Sequence, residues 1–516
     1  MIVWIVWTKL APVIIYFDIL GNFHFKDNME QRTTANRIWR FVRRYNRYIK
    51  VGLISLIAII IAMLPTEVFG IEGLNGIQQR VIAIFVWAAC MWIIEAVPAW
   101  TTSLLIIVIM LLTVSDSAIT PLISGYDKSE LMSYKTIMYT FANPTVMLFM
   151  GGFILALVAS KSGVDVSMAR AMLKPFGSKP SVVLFGFMLV TAVFSMFVSN
   201  TATAAMMLTF LAPVLRQLPS TEKGTAALAL AIPIGANIGG LATPIGTPPN
   251  GIALQYINGE LDLGVDFGEW MMVMTPLMLA ILVISWVLLR IFYPFTAKKV
   301  NIHILGGARK GWRTYVIYAT LAITILLWMF ERYTGINSYV VALFPIGVFA
   351  ITRIIKSSDL KDIDWACLWM VAGGFALGEG MSKTGLADNL VRAIPFDSWP
   401  AIAVLLSGGL ICWLLSQFIS NSAATALMVP LMVAVGKGIE GPLGEYGGIG
   451  TLLVGVAMAA SFAMSLPIST PPNAIAYSTG LIKTKQMFIT GITIGVISLI
   501  LGYVLIITVG KMGYFG

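Results

Sequence analysis

The chain has 516 residues, of which 58% are hydrophobic and only 11% are charged. A soluble domain carries about 25% charged residues, so this composition excludes an ordinary soluble protein and indicates a polytopic membrane protein. The net charge of +10 is spread over short loops between apolar segments rather than clustered, which does not favour nucleic-acid binding.

The first residues, MIVWIVWTKLAPVIIYF, are apolar, but Lys9 and Pro12 interrupt them and no signal-peptide cleavage site is evident. We interpret residues 1–28 as an interfacial segment. An extension upstream of Met29 that is not part of the working protein, and a true additional span, are the alternatives. Residues 32–50 contain seven Lys or Arg residues, which predicts a cytoplasmic N-terminus.

A membrane-spanning helix needs about 20 apolar residues. On this basis we predict an all-α protein with about eleven spans, near residues 50–69, 78–97, 100–115, 138–160, 224–257, 269–294, 313–330, 337–355, 366–382, 446–480 and 486–509. Two more apolar stretches, 179–217 and 399–436, are each divided near the middle by a polar motif. Each half is too short to cross, so we predict two re-entrant helical hairpins.

The loop charges support this alternation of spans. With residues 32–50 inside, the basic loops 297–313, 353–361 and 483–485 are also inside, and the Lys- and Arg-poor loops 70–76 and 115–137 are outside. The agreement holds only if the two divided stretches do not cross the membrane.

The chain also repeats itself. Three motif pairs recur in the same order at nearly the same separation: GGFILALVASKSG (151–163) with GGFALGEGMSKTG (373–385), FVSNTATAAM (197–206) with FISNSAATAL (418–427), and TPPN (247–250) with TPPN (470–473). By the span count the two halves have opposite orientations, an arrangement typical of secondary transporters. The predicted organisation is an N-terminal segment (1–49), a first repeat (50–295), a cytoplasmic linker (296–312) and a second, inverted repeat (313–516).

The repeated motifs carry polar groups into apolar surroundings. The Ser-Asn motifs offer hydroxyls and amides, and the helix that begins after each motif offers free backbone N–H groups to an anion. The paired prolines of each TPPN motif must break a helix, which frees carbonyls to face a cation. Ser195 and Ser416 lie four residues before Ser199 and Ser420, on the same helical face. Oxygens at this spacing suit a small, hard cation such as sodium.

These motifs resemble those of the divalent anion/sodium symporters, a family that carries di- and tricarboxylates or sulfate. The resemblance extends from about Val51 onward and rests on SNT at 199–201, SNS at 420–422, both TPP motifs and IIEAVPAWTTSLL at 93–105. It implies a sodium-coupled importer of C4-dicarboxylates such as succinate, malate or fumarate. It also implies a homodimer in a cell membrane, which we expect to be a bacterial inner membrane, in which a transport domain moves like an elevator against a scaffold.

The resemblance also implies the binding residues. One sodium ion would be held by Ser195, Ser199, Asn200 and the carbonyl of Gly246, and a second by Ser416, Ser420, Asn421 and the carbonyl of Ser469. The dicarboxylate would meet Asn200, Thr201, Thr247, Pro248, Asn421, Ser422, Thr470 and Pro471. Carboxylate carriers of the family commonly have Thr where this chain has Ser422, which leaves a sulfate or tricarboxylate substrate open.

Other functions remain as competing hypotheses. Glu379 lies within a predicted span and would serve proton coupling, although a role as a scaffold or interface residue is our preferred interpretation. No Lys or Arg adjoins the Ser-Asn or TPPN motifs, which favours cation-coupled symport over dicarboxylate exchange. An enzyme would need a nucleophile–base pair or a metal cluster at membrane depth, and His24 and His303 both lie outside the spans. The duplicated broken helices argue against a channel. We therefore expect a transporter with co-transported sodium, and no catalytic residues.

Overall fold

The computed structural model describes residues 34–219, 222–300, 302, 306–308, 310–393 and 399–515, with side chains from residue 47 onward. The predicted interfacial segment 1–28 lies outside the described residues. All regular elements of the described part are helices, as the apolar periodicity predicts.

Among the described residues, the first half contributes ten main helices, which are α1 (Thr34–Met63), α2 (Gly76–Ile94), α3 (Ala99–Thr113), α4 (Pro144–Ser162), α5 (Val164–Leu173), α6 (Pro180–Ser195), α7 (Asn200–Leu215), α8 (Gly224–Gly240), α9 (Pro248–Gly259) and α10 (Phe267–Phe292). The described residues of the second half contribute nine, which are α11 (Trp312–Met329), α12 (Leu343–Ile351), α13 (Trp365–Lys383), α14 (Leu386–Ala393), α15 (Ala401–Ser416), α16 (Asn421–Gly438), α17 (Gly448–Ser461), α18 (Pro471–Ser478) and α19 (Thr484–Lys511). Shorter helical turns connect them at Thr66–Phe69, Thr120–Ile123, Tyr134–Tyr139, Thr140–Ala142, Lys174–Phe176, Glu331–Thr334, Ser338–Val341, Ser357–Asp362 and Glu440–Gly444.

Within the described residues, five helical segments are long and apolar enough to cross a membrane: Gly76–Ile94, Tyr134–Ser162, Phe267–Phe292, Trp312–Met329 and Thr484–Lys511. Several other predicted spans correspond to shorter apolar helices, among them Ala99–Thr113 and Ser338–Ile351. The count of about eleven spans therefore stays a prediction. The protein is nevertheless a multi-pass membrane protein by its helices and by its relatives described below.

The divided and proline-containing stretches fold as predicted. The Ser-Asn motif of each half separates two antiparallel helices, α6 from α7 and α15 from α16. The predicted spans 224–257 and 446–480 are each interrupted, the first between Gly240 and Pro248 and the second between Ser461 and Pro471. Prolines begin α9 and α18 because the first helical position needs no backbone N–H donor.

Both ends of the first hairpin contact the C-terminal end of α10. The indole of Trp286 donates to the carbonyl of Ser181 at 2.7 Å, where α6 begins. Beyond the end of α7, the carboxylate of Glu222 accepts from the backbone N–H groups of Thr296 and Ala297, each at 3.0 Å. The chain thus enters and returns at the same end of the molecule, as a re-entrant hairpin does.

The second hairpin has its ends at the opposite end of α10. Lys437, near the end of α16, pairs with Glu260 at 2.8 Å, shortly before α10 begins. Near the start of α15, the carbonyl of Leu405 accepts from the hydroxyl of Tyr503, close to the end of α19. The two hairpins therefore have their open ends at opposite ends of α10, and the inversion of the two repeats in the membrane stays a prediction.

Contacts between distant helix ends agree with the predicted alternation. Gln78, at the predicted outer end of the span 78–97, donates at 2.8 Å to the carbonyl of Thr384, which follows the span 366–382 on the side predicted outside. Lys161 forms ion pairs with Asp359 at 2.8 Å and Asp362 at 2.7 Å, in regions predicted inside. Each contact joins two segments that the span count assigns to one side of the membrane.

Which side is cytoplasmic is tested by labelling single cysteines in a variant without Cys90, Cys367 and Cys412. We expect Lys310→Cys, in the basic linker, to react with an impermeant maleimide only after the cells are permeabilised. Ser117→Cys should react in intact cells. Labelling of position 310 from outside intact cells would contradict the predicted orientation.

Candidate functional site

The first hairpin tip is built around two serines and an asparagine. Helix α6 ends at Ser195 and α7 begins at Asn200, and the hydroxyl of Ser199 caps α7 by accepting from the N–H of Ala202 at 3.3 Å. The fully buried hydroxyl of Ser195 lies 2.6 Å from Asn200 Oδ1 and 2.8 Å from the carbonyl of Ala236 in α8. The sequence-predicted pair Ser195 and Asn200 is thus brought together against α8.

The first break closes against this tip. A Cβ added at Gly240 would lie 2.7 Å from Asn200 Oδ1 and 3.1 Å from the carbonyl oxygen of Gly246. The hydroxyl of Thr243 donates to the carbonyl of Met196 at the tip. Asn200 Oδ1, which contacts Ser195 Oγ, and the carbonyl oxygen of Gly246 therefore both face Gly240, where the Cβ of any other residue would lie against them.

The second tip has the same construction. Helix α15 ends at Ser416 and α16 begins at Asn421, with Ser420 capping the N–H of Ala423 at 3.3 Å. The hydroxyl of Ser469, in the second break, donates to the backbone carbonyl of Gln417 at 2.9 Å. The tip and the break of the second half are thus also held together.

The second site contains buried polar atoms that lack partners. Ser416 Oγ, Asn421 Oδ1 and Ser465 Oγ are buried and have no hydrogen-bond partner within the described part of the protein. A buried oxygen without a partner costs free energy unless a ligand or water satisfies it. Hydroxyl and amide oxygens of this kind are suitable ligands for a small, hard cation, and two of the residues predicted for the second sodium ion, Ser416 and Asn421, provide them.

An asparagine closes each break in the same way. Asn250 Nδ2 donates to the carbonyls of Leu241 at 3.2 Å and Thr243 at 2.8 Å. Asn473 Nδ2 donates to the corresponding carbonyls, those of Met464 at 2.8 Å and Leu466 at 2.9 Å. Both side chains are almost fully buried. The sequence analysis quoted these asparagines within TPPN but assigned them no role, although their repetition was the signal for one.

The residues predicted for the substrate differ in exposure. Thr201 and Pro471 are exposed and Pro248 is half-buried, whereas Thr247, Ser422 and Thr470 are buried. Thr470 Oγ1 accepts a hydrogen bond from Asn237 of the first half at 3.1 Å. Thr201 and Pro471 are thus accessible in this structure, whereas the hydroxyls of Thr247, Ser422 and Thr470 become accessible only after local movement.

The side chains that these contacts bring together are neutral serine, threonine, asparagine and glutamine groups. Positive potential at the site comes from helix N-termini, because α7, α9, α16 and α18 all begin at the motifs. This agrees with the absence of Lys and Arg from the motifs.

A cavity of about 200 Å³ adjoins the first tip. Ser199 and Thr203 line it from the hairpin, and Asp165, Asp362 and Asp364 line it from the region of α4 and the start of α13. Its carboxylates already have partners, since Asp362 pairs with Lys161 and Asp364 caps α13. We assign this cavity no ligand of its own.

Glu379 lies apart from both tips. It is half-buried on α13, one residue after Gly378, against which the hydroxyl of Tyr256 packs. This position between α9 and α13 agrees with our interpretation of Glu379 as an interface residue.

The chain is similar to known transporters. A sequence model described as citrate transporter (CitMHS) matches residues 89–448. A sodium-dependent dicarboxylate transporter, SdcS, of Staphylococcus saprophyticus is 26% identical over 499 residues, covering 89% of this chain and 91% of that protein. SdcS of Staphylococcus aureus (strain bovine RF122 / ET3-1) is 28% identical over 467 residues, covering 82% of this chain and 84% of the relative.

Two solved structures share the fold. The YdaH transporter of Alcanivorax borkumensis gives a TM-score of 0.51 at 15% identity, covering 74% of this chain and 88% of its own. MtrF of Neisseria gonorrhoeae, from a class of antimetabolite efflux pumps, also gives 0.51, at 13% identity, covering 80% of this chain and 94% of its own. At these identities the likeness concerns the fold alone.

The packing at Gly240 gives a direct test of the first cation site. We expect Gly240→Ala to displace the Asn200 amide and to raise the sodium concentration that half-maximally stabilises the purified protein by about ten-fold, or ~1.4 kcal/mol. Gly347→Ala is the matched control, since nothing lies within 4 Å of a Cβ added at that helical glycine. The measurement is the thermal unfolding midpoint against sodium at constant ionic strength. If the unfolding midpoints of the two variants depended on sodium in the same way, the assignment of a cation site beside Gly240 would be contradicted.

Proposed function

Because the chain belongs to the citrate transporter family, we propose that this transporter imports C4-dicarboxylates such as succinate, malate or fumarate, coupled to sodium ions. The observation that carries the proposal is the pairing of two neutral, oxygen-rich hairpin tips with two helix breaks, one pair from each inverted half. The names of the similar SdcS proteins, which are sodium-dependent dicarboxylate transporters, support the same substrate class and ion.

The sodium ions are proposed to bind at the two tips. One would be coordinated by Ser195, Ser199, Asn200 and the carbonyl of Gly246. The other would be coordinated by Ser416, Ser420, Asn421 and the carbonyl of Ser469. Ser199 and Ser420 cap helices through their hydroxyls, so a cation would use lone pairs that these N–H bonds leave free.

The dicarboxylate is proposed to bind between the tips. One carboxylate would accept hydrogen bonds from Asn200, Thr201 and Thr247, and it would contact Pro248, which has no N–H to donate, at the start of α9. The other would meet Asn421, Ser422 and the start of α18 at Thr470 and Pro471. The inverted arrangement suits a solute with a carboxylate at each end.

The charge of the solute gives a reason for the proposed coupling between sodium binding and anion binding. A dicarboxylate at neutral pH carries two negative charges, and the site provides only neutral groups and helix N-termini. An ion pair across about 4 Å at an effective dielectric constant of 20 contributes roughly 4 kcal/mol. Sodium ions at the two tips would therefore supply much of the stabilisation that a fixed cation supplies elsewhere, and binding would be ordered, with sodium first.

The movement, the assembly and the orientation belong to the same proposal. We infer a homodimer in a bacterial cell membrane, with the N-terminus in the cytoplasm and the hairpins carried past a scaffold by an elevator movement.

A tricarboxylate is the second candidate substrate. The description of the family as citrate transporters favours it, and Ser422 leaves slightly more room than a threonine would. Sulfate transport, dicarboxylate exchange and proton coupling through Glu379 are the other outcomes that the experiment below separates.

The test is uptake of radiolabelled succinate into proteoliposomes with an inward sodium gradient, with choline replacing sodium in a parallel sample. We expect uptake only with sodium, and inhibition by unlabelled dicarboxylates rather than by sulfate or citrate. Uptake that proceeds equally well with choline, driven by a proton gradient or an opposing anion, would contradict sodium coupling. Stronger inhibition by citrate or sulfate would reassign the substrate.

Ser416→Ala tests the second sodium site. Since Ser416 Oγ is buried without a partner, its removal should not destabilise the sodium-free protein, but should raise the sodium concentration for half-maximal uptake by about three- to ten-fold. Ser461→Ala is the control, because that hydroxyl is buried in the same half and is bonded to the carbonyl of Ala457 at 3.2 Å. A sodium dependence of Ser416→Ala equal to that of the wild type would exclude Ser416 as a ligand.

A further inference from the structure

Asn237 is a buried asparagine that has no equivalent in the other half. It lies on α8, one turn before the first break, with only 1% of its surface exposed. At the corresponding position of α17 the chain has Ala460. Because only one of the two repeated helices carries a polar side chain at this position, we expect Asn237 to have a role that is specific to the first half.

The amide of Asn237 reaches from the first half into the second break. Its Nδ2 donates to Thr470 Oγ1 at 3.1 Å and to Asn473 Oδ1 at 3.3 Å. Asn473 is the residue that closes the second break by holding the carbonyls of Met464 and Leu466. Asn237 is thus bonded directly to the group that fixes the backbone conformation of the second site.

On its other side, Asn237 is connected to the first tip through its own backbone. The carbonyl of the preceding residue, Ala236, accepts from Ser195 Oγ at 2.8 Å. Ser195 Oγ in turn lies 2.6 Å from Asn200 Oδ1. The single proton of Ser195 can be donated to only one of these two oxygens at a time, but a continuous set of polar contacts runs from the first tip through one turn of α8 to the second break.

We propose that Asn237 is a positioning residue that couples the two cation sites, so that sodium bound in one half favours sodium binding in the other. This inference rests on the proposed function. A cation held by Ser195 and Asn200 fixes the adjoining turn of α8, and through Asn237 it fixes Thr470 and Asn473. The carbonyl of Ser469, the neighbour of Thr470, is then held towards the second cation. The coupling is reciprocal, because a linkage between binding free energies acts in both directions.

A bond that only packs two helices would have a different effect. Its loss would lower stability by the same amount with and without sodium and would leave the cooperativity unchanged. Loss of a coupling bond raises the sodium concentration for half-maximal uptake and lowers the Hill coefficient for sodium. The maximal uptake rate at saturating sodium is unchanged. The split between sodium affinity and maximal rate therefore distinguishes the two roles.

The experiment uses Asn237→Ala and the near-isosteric Asn237→Leu, which fills the space but donates no hydrogen bond. Asn258→Ala is the control, because Asn258 also makes two side-chain bonds, to the N–H and carbonyl of Val265 at 2.8 Å, but away from the tips. Two responses are measured against sodium at constant ionic strength: succinate uptake into proteoliposomes, and the thermal unfolding midpoint in detergent, which requires no transport.

We expect a wild-type Hill coefficient above one that falls towards one in both Asn237 variants. The half-maximal sodium concentration should rise by about three- to ten-fold, as the loss of a neutral hydrogen bond implies. Asn258→Ala should keep the wild-type Hill coefficient.

A wild-type Hill coefficient above one that both Asn237 variants retain would overturn the coupling and leave the proposed function intact. A wild-type coefficient of one, or failure of both variants to fold, would also overturn it, the latter by assigning Asn237 a purely structural role. A wild-type protein without sodium dependence in either assay would overturn the proposed function and the coupling together.

Discussion

Backbone groups freed at two helix breaks must find partners inside an apolar protein, and in each half one buried asparagine amide provides them. Asn250 and Asn473 each donate to two carbonyls of the loop that precedes them, at equivalent positions of the repeat. Irregular backbone within an apolar core is tolerated only where such partners exist or where a cavity is lined. The remaining features of the site, including the carbonyls that face the tips, depend on this closure.

The two halves share this closure but differ in how their tips are satisfied. In the first half, Ser195 Oγ has a partner in Ala236 and lies against Asn200. In the second half, Ser416 Oγ and Asn421 Oδ1 are buried without partners in the described part of the chain. The two halves thus share their backbone conformation more closely than their side-chain hydrogen bonds. A cation bound at the second tip would satisfy more unpaired oxygens than one bound at the first.

Sequence reasoning was sufficient where a local rule decides the structure. Polar Ser-Asn motifs within apolar stretches predicted the hairpins, and consecutive prolines predicted the breaks, because proline removes a donor and clashes with the preceding turn. Periodicity and spacing do not show which residues meet across the chain. Asn237 and Thr470 are separated by more than two hundred positions, so their bond depends on how α8 packs against α18. The role of Gln417, whose carbonyl accepts from Ser469, is hidden for the same reason.

The neutral composition of the site is itself a constraint on mechanism. A fixed lysine or arginine would hold the anion whether or not a cation is present, and would allow the site to move while carrying the anion alone. Four helix N-termini and neutral donors provide only partial charges, which leaves the binding of a dianion dependent on mobile cations. In the transport that we propose, the anion would lose the attraction that retains it when the cations leave, and the unpaired oxygens of the second tip would again lack partners. Coupling of ion and anion thus follows from what the site lacks as well as from what it contains.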